Sequence, residues 1–208
     1  MRKPFLAFFT LCALFVIAVS GQDKATGAPA NEVKDLKSLL GGSIEEIEFP
    51  TVDGWTRGEK QIIPDDGGGR GHVINYDSKT NGRVTVYIYT RGLKSIPDGL
   101  GKLVEEELEG AKAAIRVVAG TGAYGEVKGG KTETITLGGD KGRVKSLRAS
   151  YVFNRNGQVL NSEIYLFGYQ DHFIKLRASR PASASNEAFA ALLLSLDQLF
   201  SKTKSPNA

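Results

Sequence analysis

The chain is poor in the residues that most often do chemistry. It has one cysteine, two histidines, one methionine and one tryptophan. The cysteine, Cys12, lies inside an apolar stretch near the start of the chain. Once that stretch is removed no thiol remains, which excludes disulfides and thiol catalysis and leaves stability to the core. His72 and His172 fall in no His-x-His or His-x-x-x-His spacing, and no carboxylate-rich loop accompanies them. No Gly-x-Ser-x-Gly elbow occurs, so a serine nucleophile has no evident seat. Charge of one sign is also missing. The net charge is +4 with both signs mixed along the chain. Loss of Arg2 and Lys3 would leave about +2. Lys141, Arg143, Lys145 and Arg148 lie close together, with Asp140 beside them and Glu163 expected nearby. A basic face for nucleic acid is therefore not expected.

Long apolar runs are missing as well, with one exception. Phe5 to Val19 (FLAFFTLCALFVIAV) follows Arg2 and Lys3 and runs into Ala18-Val19-Ser20. It is about fifteen residues, short of the ~20 a spanning helix needs. A positive start, a short apolar run and small residues at its end form the layout of a secretory signal. Residues 1–20 are expected to be that signal, cleaved near Ser20, with the mature chain periplasmic or extracellular. Membrane contact is expected only through this segment, if it stays uncleaved. Residues 21–43 read as a polar linker with a short helix at 31–40, and 202–208 as a flexible tail. Residues 44–201 are long enough for one domain with its own core.

The stretch GEVKGGKT, residues 125–132, matches the pattern of a phosphate-binding loop. Such a loop needs a helix starting just after its lysine, because the helix N-terminus supplies the positive pole. Here Thr132 leads into Glu133-Thr134-Ile135-Thr136-Leu137, which is alternating and Thr-rich. That reads as a strand, so nucleotide binding is not expected, and residues 125–132 read as a loop joining two strands. Gly67-Gly68-Gly69-Arg70-Gly71 lacks dinucleotide spacing and reads as a loop before a strand.

What the chain does have is alternation. Residues 72–77 and 83–90 (RVTVYIYT) read as strands around the loop Ser78-Lys79-Thr80-Asn81-Gly82. Residues 143–153, 158–167 and 172–180 read as three more, joined by Asn154-Arg155-Asn156-Gly157 and Gly168-Tyr169-Gln170-Asp171. Such short links require antiparallel neighbours, hence a meander. Two segments show helical spacing instead. In 99–118 the stripe is Leu103, Val104, Leu108, Ala111, Ile115 and Val118, with the Glu run 105–109 expected on a solvated face. In 186–201 it is Phe189, Leu192, Leu193, Leu196, Leu199 and Phe200, with Ser185 as N-cap and Glu187 in the first turn. The class is α+β: an antiparallel sheet of about six strands packed with two main helices.

One constellation suggests a surface. Tyr87, Tyr89, Glu163, Tyr165, Lys175 and Arg177 alternate with Val86, Ile88, Ile164, Leu166, Ile174 and Leu176. If helices bury one side of the sheet, the aliphatic set lies under them and the first set shares the other face. Aromatic bodies mixed with charge suit a partner surface or a shallow ligand site. The plainer alternative is an ordinary exposed face with cross-strand ion pairs.

With those elements in place, the layout resembles the PsbP-like α/β sandwich. The resemblance runs over roughly residues 45–201. It comprises a hairpin with the Tyr-rich strand VTVYIYTRG, Ser95-Ile96-Pro97-Asp98-Gly99, a long helix, a meander ending GYQDHFIKLRAS, and a final helix. The nearest likeness is to uncharacterised exported bacterial members. The family includes the extrinsic PsbP protein of photosystem II and a Ran-binding nuclear-import factor, and the resemblance implies an accessory or binding protein without catalysis. It implies no cofactor and assigns no metal or partner residues here. Three functional readings follow: a non-catalytic exported module binding an envelope protein or small ligand; a metal-dependent hydrolytic enzyme near His72, Asp65 and Asp66; or a structural envelope protein.

Overall fold

The computed structural model describes residues 44–64 and 70–201. The expected signal, linker and tail lie outside the described residues, as do Asp65 and Asp66 and the glycines at 67–69. The described residues form one antiparallel sheet with a helix on each side. Its strands are β1 (Thr56–Arg57), β2 (Gln61–Pro64), β3 (Arg70–Ser78), β4 (Gly82–Tyr89), β5 (Lys128–Thr136), β6 (Lys145–Arg155), β7 (Gln158–Tyr169) and β8 (His172–Pro181). The helices are α1 (Lys102–Gly120) and α2 (Asn186–Ser201). The strand order is β1-β3-β4-β8-β7-β6-β5, with β2 also pairing β3. The α+β class and the meander β6–β7–β8 stand as expected. The strand count is eight rather than six. The additional strands are the two short pieces before β3. The strand expected from Glu133 is β5, and it starts earlier, at Lys128, across a bulge at Gly129 and Gly130.

The turns explain why neighbouring strands reverse where they do. Asn156-Gly157 and Gln170-Asp171 occupy two-residue turns with both central residues at positive φ, the hairpin geometry that matches strand twist. Gln170 and Asp171 lack glycine's freedom, so the turn is held from outside. Asp98 Oδ1 accepts from the Gln170 amide at 2.7 Å, and Asp171 Oδ1 accepts from Ser95 Oγ at 3.0 Å. Gly82, at φ 90°, begins β4 where a Cβ would lie 2.3 Å from the Ser179 carbonyl oxygen. A side chain there would push β8 away from β4.

The sheet is buried from both sides by two separate clusters. Across an antiparallel ladder, paired residues share a face. One face carries Ile74, Val86, Ile88, Phe167, Ile174 and Leu176 against α2 through Phe189, Leu192, Leu196 and Phe200. The segment 44–55 joins this side: Trp55 Nε1 donates to the Ala188 carbonyl and Tyr76 Oη to that of Pro50. The opposite face carries Leu147, Ala149, Ile164, Leu166 and Phe173 against α1 through Val104, Leu108 and Ile115. Each large apolar side chain so buried contributes roughly 1.5–3 kcal/mol. Helices on both sides replace the expected helices on one side, because both faces of the inner strands are apolar. The Ser185 cap is present, its hydroxyl accepting from the Ala188 amide at 3.2 Å.

The phosphate-loop motif is settled by the same topology. Residues 128–132 are strand, and Thr132 pairs with Ala149 in mid-ladder. The rest of the motif links α1, not a strand, to β5. This corrects the reading of residues 125–132 as a loop between strands. No helix begins after Thr132, so the motif lacks the pole that would hold a phosphate.

Burial pushes the Tyr76 phenol up to about 12, with Arg57 pulling weakly the other way. A raised phenol stabilises the fold below the unfolded value of ~10, and that contribution is lost as pH climbs through the folded value. Tyr76→Phe is expected to cost about 1 kcal/mol at neutral pH, by leaving the Pro50 carbonyl unmatched. The same change should soften the fall of stability between pH ~10 and 12. Urea unfolding at neutral and alkaline pH measures both, and an equally steep alkaline fall in the variant would refute the assignment.

Candidate functional site

The two helices are offset diagonally. α1 lies over β6 and β7. Over the other half of that face, on β3, β4 and β8, no helix lies among the described residues, and its side chains are buried or half-buried. Register places Val73, Tyr87 and Lys175 in one row of it, and Asn75, Thr85 and Arg177 in the next. Four of the six residues singled out by alternation therefore come together here: Tyr87, Tyr89, Lys175 and Arg177.

The other two do not. Glu163 and Tyr165 lie on the α2 side, Tyr165 opposite Leu176 and Glu163 opposite Ala178. Conversely, Ile164 and Leu166 share the face of Lys175 and Arg177. The physical reason is the Gln170-Asp171 turn. A two-residue turn always pairs an odd-numbered residue with an even-numbered one, so Tyr165 cannot share a face with Lys175.

On the open half-face, Lys175 is the organising cation. Its Nζ sits 4.9 Å from the Tyr87 ring centroid and 4.7 Å from that of Tyr89. Attraction to the ring faces holds a flexible ammonium in place while its stem covers apolar surface. Tyr89 is buried and tilts against Phe173 at 5.6 Å. Its hydroxyl donates to Glu107 Oε1 at 2.7 Å, and Arg91 Nη1 donates to Glu107 Oε2 at 2.7 Å. Glu107 is 8 % exposed, which overturns the solvated face expected for the whole Glu run. Nearby, Thr85 donates to Asn75 Oδ1 at 2.7 Å, and Asp77 pairs with Arg83 at 2.6 Å. Arg177 is half-buried and takes part in no ion pair among the described residues.

On the α2 side, Glu163 and Tyr165 belong to a different cluster. Arg148 stands opposite Tyr165 in the ladder. Its Nη2 donates to Glu133 at 2.6 Å, and its Nη1 lies 3.8 Å from Glu163. Glu163 also meets Arg180 at 3.4 Å, and the Arg180 guanidinium stacks 3.8 Å from the Phe189 ring centroid. The hydrogen bond from Arg148 holds the Glu133 carboxyl below its usual range, and the same bond raises Arg148. Tyr165 is 2 % exposed, and burial followed by the nearby Glu163 charge pushes its phenol well up. It is a neutral donor at any ordinary pH.

The histidines separate too. His72 is 5 % exposed and paired with Ile88, so it is a core residue. His172 is half-buried, its Nδ1 2.6 Å from the Gln170 carbonyl oxygen. Among the described residues no group of three or more His, Asp or Glu could hold a metal ion.

Alternation missed three charged residues: Glu107, Arg180 and Asp197. A signal for them existed. Glu107 is three after Val104 and four before Ala111, and Asp197 is four after Leu193 and three before Phe200. Both acids thus stand at stripe spacing. Arg180 continues the even-numbered core positions Ile174, Leu176 and Ala178. The chain matches no protein-family model and no curated protein.

Removing the Glu107 carboxylate should expose its role as an anchor for β4. Glu107→Ala is expected to cost about 1–3 kcal/mol, because Tyr89 Oη loses its buried acceptor. Glu107→Gln retains an acceptor and should cost clearly less. Denaturant unfolding of both variants checks the ranking, and equal losses would show that the phenol bond contributes nothing.

Proposed function

We propose that the chain is an exported, non-catalytic binding module whose recognition surface is the open half-face bearing Tyr87, Lys175 and Arg177. The observation that carries this reading is the Lys175 ammonium, held over two tyrosine rings on a part of the sheet that no helix among the described residues covers. Tyrosine and arginine on a rigid, half-desolvated surface are the side chains that dominate binding energy at protein interfaces. They lie on strands, so their positions are set before a partner arrives, which lowers the cost of binding.

Three further points favour the reading. The most buried carboxylates are engaged structurally: Glu107 by Tyr89 and Arg91, Glu163 by Arg180, Asp197 by backbone amides. None is left as a general acid or base. The sequence layout resembles that of the PsbP-like sandwich, and the resemblance implies an accessory or binding role. The leading segment, with its positive start, short apolar run and small residues, supports export. None of the helices among the described residues is long and apolar enough to cross a membrane.

The triple variant Tyr87→Ser, Lys175→Gln, Arg177→Gln tests the surface while sparing Tyr89, which is structural. Cross-linking in the producing cell followed by affinity capture should yield a partner with the wild-type chain and lose it with the variant. Near-UV circular dichroism should stay unchanged. An identical set of captured proteins from a folded triple variant would refute this surface.

A further inference from the structure

The two edges of the sheet are built differently. At one edge β3 is flanked by β1 and β2, strands of two and four residues, the second ending in Pro64. Short strands and proline blunt an edge against further pairing. At the other edge lies β5, nine residues long and largely exposed. Its bulge at Gly129 and Gly130 and the charges of Lys128 and Lys131 guard only its first half. From Thr132 to Thr136 (TETIT) there is no proline, glycine, lysine or bulge.

The register shows which backbone groups this stretch leaves unmet. The Leu137 amide donates to the Val144 carbonyl at 2.8 Å, next to the pair Thr136 and Lys145. Backbone groups alternate in direction along an antiparallel strand, so Glu133, Ile135 and Leu137 turn theirs to β6. Thr132, Thr134 and Thr136 turn theirs outward, and no backbone bond from any other described segment meets them. The side chains at both ends of the row are tied down. Lys112 Nζ donates to Thr132 Oγ1 at 3.1 Å, and Lys145 Nζ to Thr136 Oγ1 at 2.8 Å. Glu133 is the one charge in the stretch, and Arg148 neutralises it at 2.6 Å. The edge is therefore preformed, extended and without net repulsion of its own.

This row is its own complement. A two-fold axis through Thr134 sets Thr134 opposite Thr134 of a second copy, and Thr132 opposite Thr136. Every outward amide then meets a carbonyl, and the threonines of both copies form one favourable cross-strand row. We infer that two copies of this chain pair antiparallel through β5, about Thr134, into one continuous sheet. Such an interface is self-matching and closed, because the edges left free are the blunted ones beside β3. The inference is independent of the surface around Lys175, which lies on other strands.

The test uses the chain purified from the producing cell. Sedimentation over about a hundredfold range of concentration should show a monomer–dimer equilibrium. Amide exchange followed by NMR should slow at Thr132, Thr134 and Thr136 as the dimer forms, while Glu133 and Ile135 stay protected throughout. Thr134→Lys, at an exposed position, sets two ammonium groups opposite each other and should weaken association about fivefold, with most of the loss recovered at high salt. Thr134→Pro removes an amide that β6 does not use, so β5 should stay in the sheet while association falls about tenfold or more. Near-UV circular dichroism verifies folding, and the lysine variant decides alone where the proline variant fails to fold. A chain that stays monomeric across the range would overturn the inference, as would a dimer unmoved by substitution at Thr134. Protection of the outward amides in a monomer would assign the edge to another segment and overturn it equally.

Discussion

The ladder between β4 and β8 is the constraint on which the structure depends. Arg83 to Tyr89 pair with Ser179 to Phe173, joining strands some ninety positions apart in the chain. On one side of this ladder stand β3 and the two short strands before it, and on the other the meander β7–β6–β5. The meander half carries α1 on β6 and β7, but the floor of α2 draws on both halves. Joined, they bring Val86, Ile88, Ile174 and Leu176 into one continuous floor for α2. The close approach at Gly82 keeps the two strands within hydrogen-bonding distance where the ladder begins.

From that ladder follows the diagonal arrangement of the helices. α1 enters from β4 through the segment 90–101 and lies over β6 and β7, while α2 returns from β8 on the opposite side. Two helices on a sheet wider than either leave, among the described residues, one half of each face without a helix. The uncovered half beside β4 and β8 carries Tyr87, Lys175 and Arg177, and the other carries Glu133 and Arg148. The charged groups are not scattered. Each open half has a cation braced by an aromatic or a carboxylate, and each is tied to a helix by a buried acid, Glu107 for α1 and Asp197 for the loop against α2.

Much of the fold was legible before any coordinates. The hairpin before Val84, the three meander strands, both helical stripes and the Ser185 cap rest on short-range rules of period and turn chemistry. The early strands were less legible, because two- and four-residue segments carry too little alternation, and β5 was legible only from Glu133 onward, because Gly129 and Gly130 interrupt the alternation before it. The candidate site was legible in part. Tyr87, Tyr89, Lys175 and Arg177 meet as expected, whereas Glu163 and Tyr165 part from them at the Gln170-Asp171 turn. That separation was open to arithmetic, since a turn of even length pairs odd positions with even ones.

The amino-acid order by itself determined which segments are strands and which are helices, where the chain reverses, and that the phosphate-loop pattern at 125–132 leads into a strand. Each of these depends on neighbours within a few residues. Only the tertiary structure decided which faces those segments share, that Glu107 and Asp197 are buried, and where the helices leave the sheet uncovered. Those outcomes depend on the pairing of β4 with β8. A register between distant strands is chosen by the packing of both faces at once, and no local rule of period or turn can supply it.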